Sequence, residues 1–320
     1  MTTKSSLTAG NFVWGLARFV LLAVLFFIFF AMGGSLVGPA LPDTVAEPGP
    51  FSQMTGIYIV SAASALVVIL MILSSRWHGW KLMLTMSVTY YVMVTFLMQI
   101  EAWYFLYGLT IGPDLMPLLF LQGLPVAFIF IPLAVIILGR ARKPVNPIEE
   151  TPIVPMSVQE WGWKLAAIAL AYVVLYFTAG YYIAWLNPDV RAFYGEPGDP
   201  RTFIGQMIHV FTTDPWLTPF QILRALIWAA CALPVLRGSR WPRGATALVV
   251  ALMFSVPQNI GHLMPNSLIP INSVRISHLI ETASSTFVFG LIVSGLLFPK
   301  HREVREAQPR ARAKEVHLPV

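Results

Sequence analysis

The segment Phe12–Val37, FVWGLARFVLLAVLFFIFFAMGGSLV, sets the reading of the whole chain. It holds one charged side chain, Arg18, in a run longer than the roughly 20 apolar residues needed to cross hydrocarbon. A secretory leader has an apolar core of roughly 7–15 residues. This run therefore reads as a retained first span. Arg18 is explained by its flexible stem, which lets the guanidinium snorkel to the headgroups.

Working outward, blocks of the same character run over Thr55–Ser75, Leu82–Gly108, Leu115–Gly139, Trp163–Leu186, Trp216–Leu236, Ala245–Met264 and Ile276–Phe298. Only helices or closed barrels satisfy every backbone group in lipid, and these blocks lack the alternating polarity of barrel strands. The sequence predicts an all-α, polytopic integral membrane protein with eight transmembrane helices.

Composition agrees. The chain is 57% hydrophobic and 11% charged, where a soluble domain carries about a quarter of its residues charged. The net charge of +6 does not mark a nucleic-acid binder, because the basic residues sit in short turns between apolar blocks. They are topology signals, and the expected partner is the lipid bilayer. The single cysteine, Cys231, lies in an apolar block, which excludes an intrachain disulfide and a thiolate metal cluster.

The bases orient the bundle. Arg76 and Lys81 follow span two, Arg140, Arg142 and Lys143 follow span four, and Arg237, Arg240 and Arg243 follow span six. The intervening connections hold Asp43, Glu47 and Asp114, and the fifth, Asn187–Pro215, is net acidic. The positive-inside rule then places both termini in the cytoplasm of a cell whose inner membrane the chain spans.

Two short matches suggest an internal repeat. Trp14-Gly15 precedes Gly33 at the spacing by which Trp161-Gly162 precedes Gly180, and Ser75-Arg76-Trp77 ends span two as Ser239-Arg240-Trp241 ends span six. Together they point to a parallel four-plus-four helix duplication, with halves at 1–139 and 161–298. Between them, 140–160 reads as a Pro- and charge-rich cytoplasmic linker, the extracytoplasmic loop is 187–215, and the basic tail 299–320 is expected to be disordered.

Ionisable residues inside spans cost several kcal/mol unless paired or wetted, so each is a candidate functional group. These are Glu101, Arg224, His262, His278 and Glu281. Counting at 1.5 Å per residue puts all of them within about 12 Å of the outer interface. His278 and Glu281 are three apart and share a helix face. Pro257 frees a backbone carbonyl near Gln258 and Asn259, and Phe203–Phe211 suits a short interfacial helix with Phe203, Met207, Val210 and Phe211 near one face.

Several chemistries fit these residue types. In one, Glu101, Arg224, His278 and Glu281 are catalytic and a Glu–His pair does acid–base work on a lipid-soluble or periplasmic small molecule. In another, His262, His278, Glu281 and Glu101 hold a divalent metal such as zinc or iron, or His262 and His278 clasp a haem. A third has the carboxylates pair with Arg224 and the histidines only to fix helix packing. A small-solute or proton-coupled transporter is the further alternative. No Gly-rich phosphate loop, nucleophile elbow or Cys–His pair is present.

Overall fold

The computed structural model describes residues 9–142 and 154–299. The tail from His301 and the centre of the Pro-rich linker lie outside the described residues, as does the expectation of disorder made for that tail. The described chain is helical and has eight helices long and apolar enough to span a membrane. They run over Gly10–Ala40, Gln53–Ser74, Gly79–Leu106, Leu115–Ile137, Val158–Trp185, Leu217–Gly238, Arg243–Leu263 and Asn272–Leu297.

Spans two and five start earlier than their apolar blocks, and the reason is capping. Ser52 and Ser157 each accept a bond from a first-turn amide, so the polar turns before the apolar runs are already helical. Span four bends into a π-helical turn at Val126–Phe130, directly after Pro125. Proline supplies no amide hydrogen, and the wider turn re-registers the bonds around the gap. Similar turns occupy Tyr91–Phe96 of span three and Gly180–Trp185 of span five.

Packing follows a common plan in the two halves. Span one packs on two and four, and span three on four; likewise span five packs on six and eight, and span seven on eight. Across the halves, span two meets seven and span three meets six. Lipid tails are as apolar as leucine, so close backbone approach and dispersion hold such helices together. Gly33 makes that approach possible: a Cβ there would lie 2.0 Å from the Gln122 carbonyl oxygen of span four. The centre is filled by Trp228, Phe254 and Phe289, with ring centroids 4.5 and 5.9 Å apart.

One end of the bundle is rich in arginine, and its two Ser-Arg-Trp segments meet there. Ser75 and Ser239 form an antiparallel bridge, flanked by Arg76 N–H to Gly238 O at 2.7 Å and Arg240 N–H to Ser74 O at 2.8 Å. In both segments the serine Oγ accepts the tryptophan N–H at 3.1 Å. The guanidiniums turn to helix ends: Arg76 donates to Arg237 O, Arg140 to Ser75 O, Arg240 to Leu73 O and Arg243 to Gly295 O. Orphan carbonyls and the negative end of the dipole make these places favourable for cations. The crowding has a cost, since burial and the neighbouring Arg240 charge hold Arg140 below its usual range.

The opposite end is built from the long connections. Arg275, fully buried at the start of span eight, gathers the carbonyls of Ile269 and Pro270 at 2.9 and 2.7 Å and that of Glu47 at 2.7 Å. Glu47 returns a carboxylate bond to Asn272 N–H at 2.7 Å. Arg275 thus fastens two connections over the start of span eight.

Candidate functional site

Beneath those connections lies a cavity of about 1390 Å³. All five candidate residues line it: Glu101, Arg224, His262, His278 and Glu281. Its walls reach from the 41–46 and 264–269 connections down to Phe26, Ser64, Tyr90 and Trp228, while no residue of the two Ser-Arg-Trp segments borders it.

Two polar centres stand on the wall. In the first, Arg224 of span six donates to Glu101 of span three at 2.5 Å and to Gln221, one turn earlier, at 2.9 Å. Arg224 is 2% exposed, and the rings of Tyr172 and Phe220 flank its guanidinium at 5.9 and 5.8 Å. In the second, His278 sits between Glu281 and Tyr194. Its Nδ1 lies 3.1 Å from Glu281 Oε2 and its Nε2 lies 3.1 Å from the Tyr194 hydroxyl. An ionised carboxylate only accepts, so His278 carries its proton on Nδ1 and leaves Nε2 to accept from the phenol.

The sequence places this triad in three steps. His278 and Glu281 come together through helical spacing. Asn187 caps the short helix Pro188–Phe193, with proline at its first turn, and this helix delivers Tyr194. Arg191, buried, then ties the connection down by donating to Trp185 O and Gly198 O at 2.7 and 2.9 Å. Burial, with the Glu281 charge adding to it, pushes the Tyr194 phenol above its ordinary range and keeps it a proton donor.

The remaining members take supporting places. His262 donates from Nδ1 to Asn259 O at 3.0 Å, and its ring centroid lies 6.4 Å from that of His278. Thr282 links the two helices by donating to Asn259 Oδ1 at 2.6 Å. The interfacial helix forms over Phe203–Thr213 with a Thr202 cap, but its faces differ from expectation. Gln206 is buried and borders the cavity beside Met207 and Val210, while Ile204, Ile208 and Phe211 face outward. Gln206 finds Arg201 at 3.3 Å, which lets a polar side chain take the inner face.

The four-residue metal set His262, His278, Glu281 and Glu101 does not assemble. Among the described residues, no group of three or more His, Cys, Asp or Glu is placed to hold a metal ion. Glu101 is paired with Arg224 instead, and Glu281 meets one member of the set, His278. A haem clasped by His262 and His278 needs a free nitrogen on each ring, and both nitrogens of His278 are engaged.

Tyr194, Tyr172, Tyr176 and Thr282 escape the sequence reading. Tyr172, Tyr176 and Gly180 lie four apart on span five, a stripe on one helix face that could have flagged them. Tyr194 had no such signal beyond the Asn187-Pro188-Asp189 helix start. Fold and site define a polytopic helical membrane protein with a partly open, mostly apolar cavity that carries two polar centres. No family model, curated protein or solved structure matches this chain.

Proposed function

We propose that the protein is an intramembrane enzyme of the inner membrane that binds a lipid-soluble small molecule in this cavity and performs proton transfer on it. The observation that supports this is the Tyr194–His278–Glu281 hydrogen-bonded chain on the wall of a cavity large enough for a substrate. Glu281 orients the imidazole and steadies its charged form, and Tyr194 exchanges the proton with the reacting group while His278 Nε2 takes or returns the phenolic proton. Arg224, neutralised by Glu101, positions a polar group nearby.

Comparative lipid analysis of a deletion strain tests the idea. A membrane component should accumulate in that strain and disappear when the wild-type gene is restored. His278→Ala and Glu281→Gln should fold normally yet leave it accumulated, with turnover lowered at least about a hundredfold. Stable variants that restore the wild-type lipid profile would retire the catalytic assignment and leave a packing network.

Orientation belongs to the same proposal. The basic connections support cytoplasmic termini and a cavity that opens toward the extracytoplasmic side. Single cysteines near Gly195 should react with an impermeant thiol reagent on intact cells, and cysteines near Arg240 only after lysis. The opposite pattern inverts the topology.

Transport is the second reading, favoured by Pro257 inside span seven and the change to a 3-10 turn at Ile260–Leu263 just beyond it. The cavity reaches only one end of the bundle, which favours the enzyme. Flux into proteoliposomes would decide for transport.

A further inference from the structure

We infer that the ligand of this cavity is a cationic amphiphile, its headgroup held in the second half of the chain and its hydrocarbon tail in the first. The inference rests on the proposed binding role of the cavity, and it names the chemical class.

Charge comes first. The cavity wall holds five carboxylates, Asp43, Glu101, Glu196, Asp214 and Glu281, against one guanidinium, Arg224. Arg201 neutralises Glu196 from outside the wall at 2.7 Å, and Glu101 neutralises Arg224. The balance stays negative even if His262 and His278 both carry a proton. An anionic headgroup would therefore have to displace Glu101 from Arg224, whereas a cation meets an unopposed field.

Aromatic rings give the second, independent argument. Tyr172, Tyr176, Tyr181, Tyr194, Trp185 and Trp228 border the same half of the cavity. Faces of such rings attract ammonium groups, and desolvation strengthens that attraction. Gln258 adds a third. Its amide nitrogen is spent on Phe254 O, which leaves Oε1 a buried acceptor without a partner on the cavity wall. Its unused oxygen carries a partial negative charge, which favours a cation whether the headgroup bears an N–H or is quaternary.

The tail follows from the other half. There Phe26, Phe30, Ile57, Val60, Val94 and Val126 give the wall an apolar stretch, interrupted by Ser64, Tyr90, Thr95 and Gln122. The Ser75–Ser239 bridge sets a register between spans two and six. Carried back along the helices, it matches Ile57, Val60 and Ser64 to Gln221, Arg224 and Trp228. Where span six bears its polar centre, span two bears aliphatic side chains. A duplicated pair of four-helix units has in this view divided the labour: one retains the head, the other the chain.

The test uses the purified full-length protein and probes with no reactive group, dodecyltrimethylammonium against dodecanoate, read as saturable binding of the radiolabelled compounds. The cation should bind about tenfold more tightly than the anion. Affinity should rise along an alkyltrimethylammonium series until the apolar half is full. Val60→Trp should shorten the longest chain accepted, and the chain-length series on the wild-type protein stands if that variant fails to fold. Equal or tighter binding of dodecanoate, or affinity indifferent to chain length, overturns the inference. Because no turnover is read, a cation preference alongside an unaltered lipid profile in His278→Ala retires the acid–base enzyme and keeps the amphiphile. The converse pattern does the reverse.

Discussion

Glu101→Gln is expected to lower stability by about 3–5 kcal/mol, the usual penalty for stranding a buried charge. The reason lies in the asymmetry of the pair. Arg224 is 3% exposed at its side chain and cannot reach water, while Glu101 is 25% exposed and faces the cavity. Removing the negative charge leaves a buried guanidinium facing only neutral acceptors, Gln221 Oε1 at 2.9 Å and the new amide oxygen at 101. Arg224→Met should cost less, because Glu101 can take up cavity water in its place. The double variant should regain most of the loss, since apolar groups of similar volume replace buried ion pairs at little cost. Thermal unfolding in detergent measures all three. If the single variants are as stable as the wild type, the pair is not a buried ion pair in the working protein. If the double variant is worse than Glu101→Gln alone, Arg224 holds the fold through its ring contacts instead.

This pair also shows what the sequence could and could not convey. Depth along each span was legible, because an apolar block with basic flanks fixes the height of every residue in it. That is why Glu101, Arg224, His262, His278 and Glu281 could be set at one level, and they do border one cavity. Which of them touch was not legible, because height says nothing about rotation around the bundle axis. Arg224 could equally have met Glu281; packing of span three on span six turned it to Glu101 instead. Tyr194 was hidden for a different reason. It sits in a connection, where no periodicity fixes direction, and its place depends on Arg191 binding backbone carbonyls. The metal set failed on the same ground: four ligand-type residues at one height is a weaker statement than four at one point.

The repeat, by contrast, turned on residues that do no chemistry. Ser75-Arg76-Trp77 bonds reciprocally with Ser239-Arg240-Trp241, and span one packs on span four as span five packs on span eight. Gly33 and Gly180 occupy the repeated position, and their surroundings predict different fates. At Gly33 a Cβ would stand 2.0 Å from the Gln122 carbonyl oxygen. Backbone cannot rotate aside as a side chain does, so span one must separate from span four. Overpacking typically costs about 1–3 kcal/mol, and a clash with main chain places Gly33→Ala at or above the top of that range. Gly34, one residue on, has nothing within 4 Å of the same added atom. Gly34→Ala should be neutral, or stabilising by the roughly 0.5–1 kcal/mol that a helical glycine forfeits. At Gly180 the nearest atom is Glu281 Oε1 at 3.3 Å, the end of a flexible side chain. Gly180→Ala should therefore leave the melting temperature nearly unchanged while displacing Glu281 from His278, so that it reproduces the lipid phenotype of Glu281→Gln. Melting curves for the three alanine variants, with complementation for Gly180→Ala, check this. A Gly33→Ala protein as stable as Gly34→Ala would show that spans one and four are not in contact at that point.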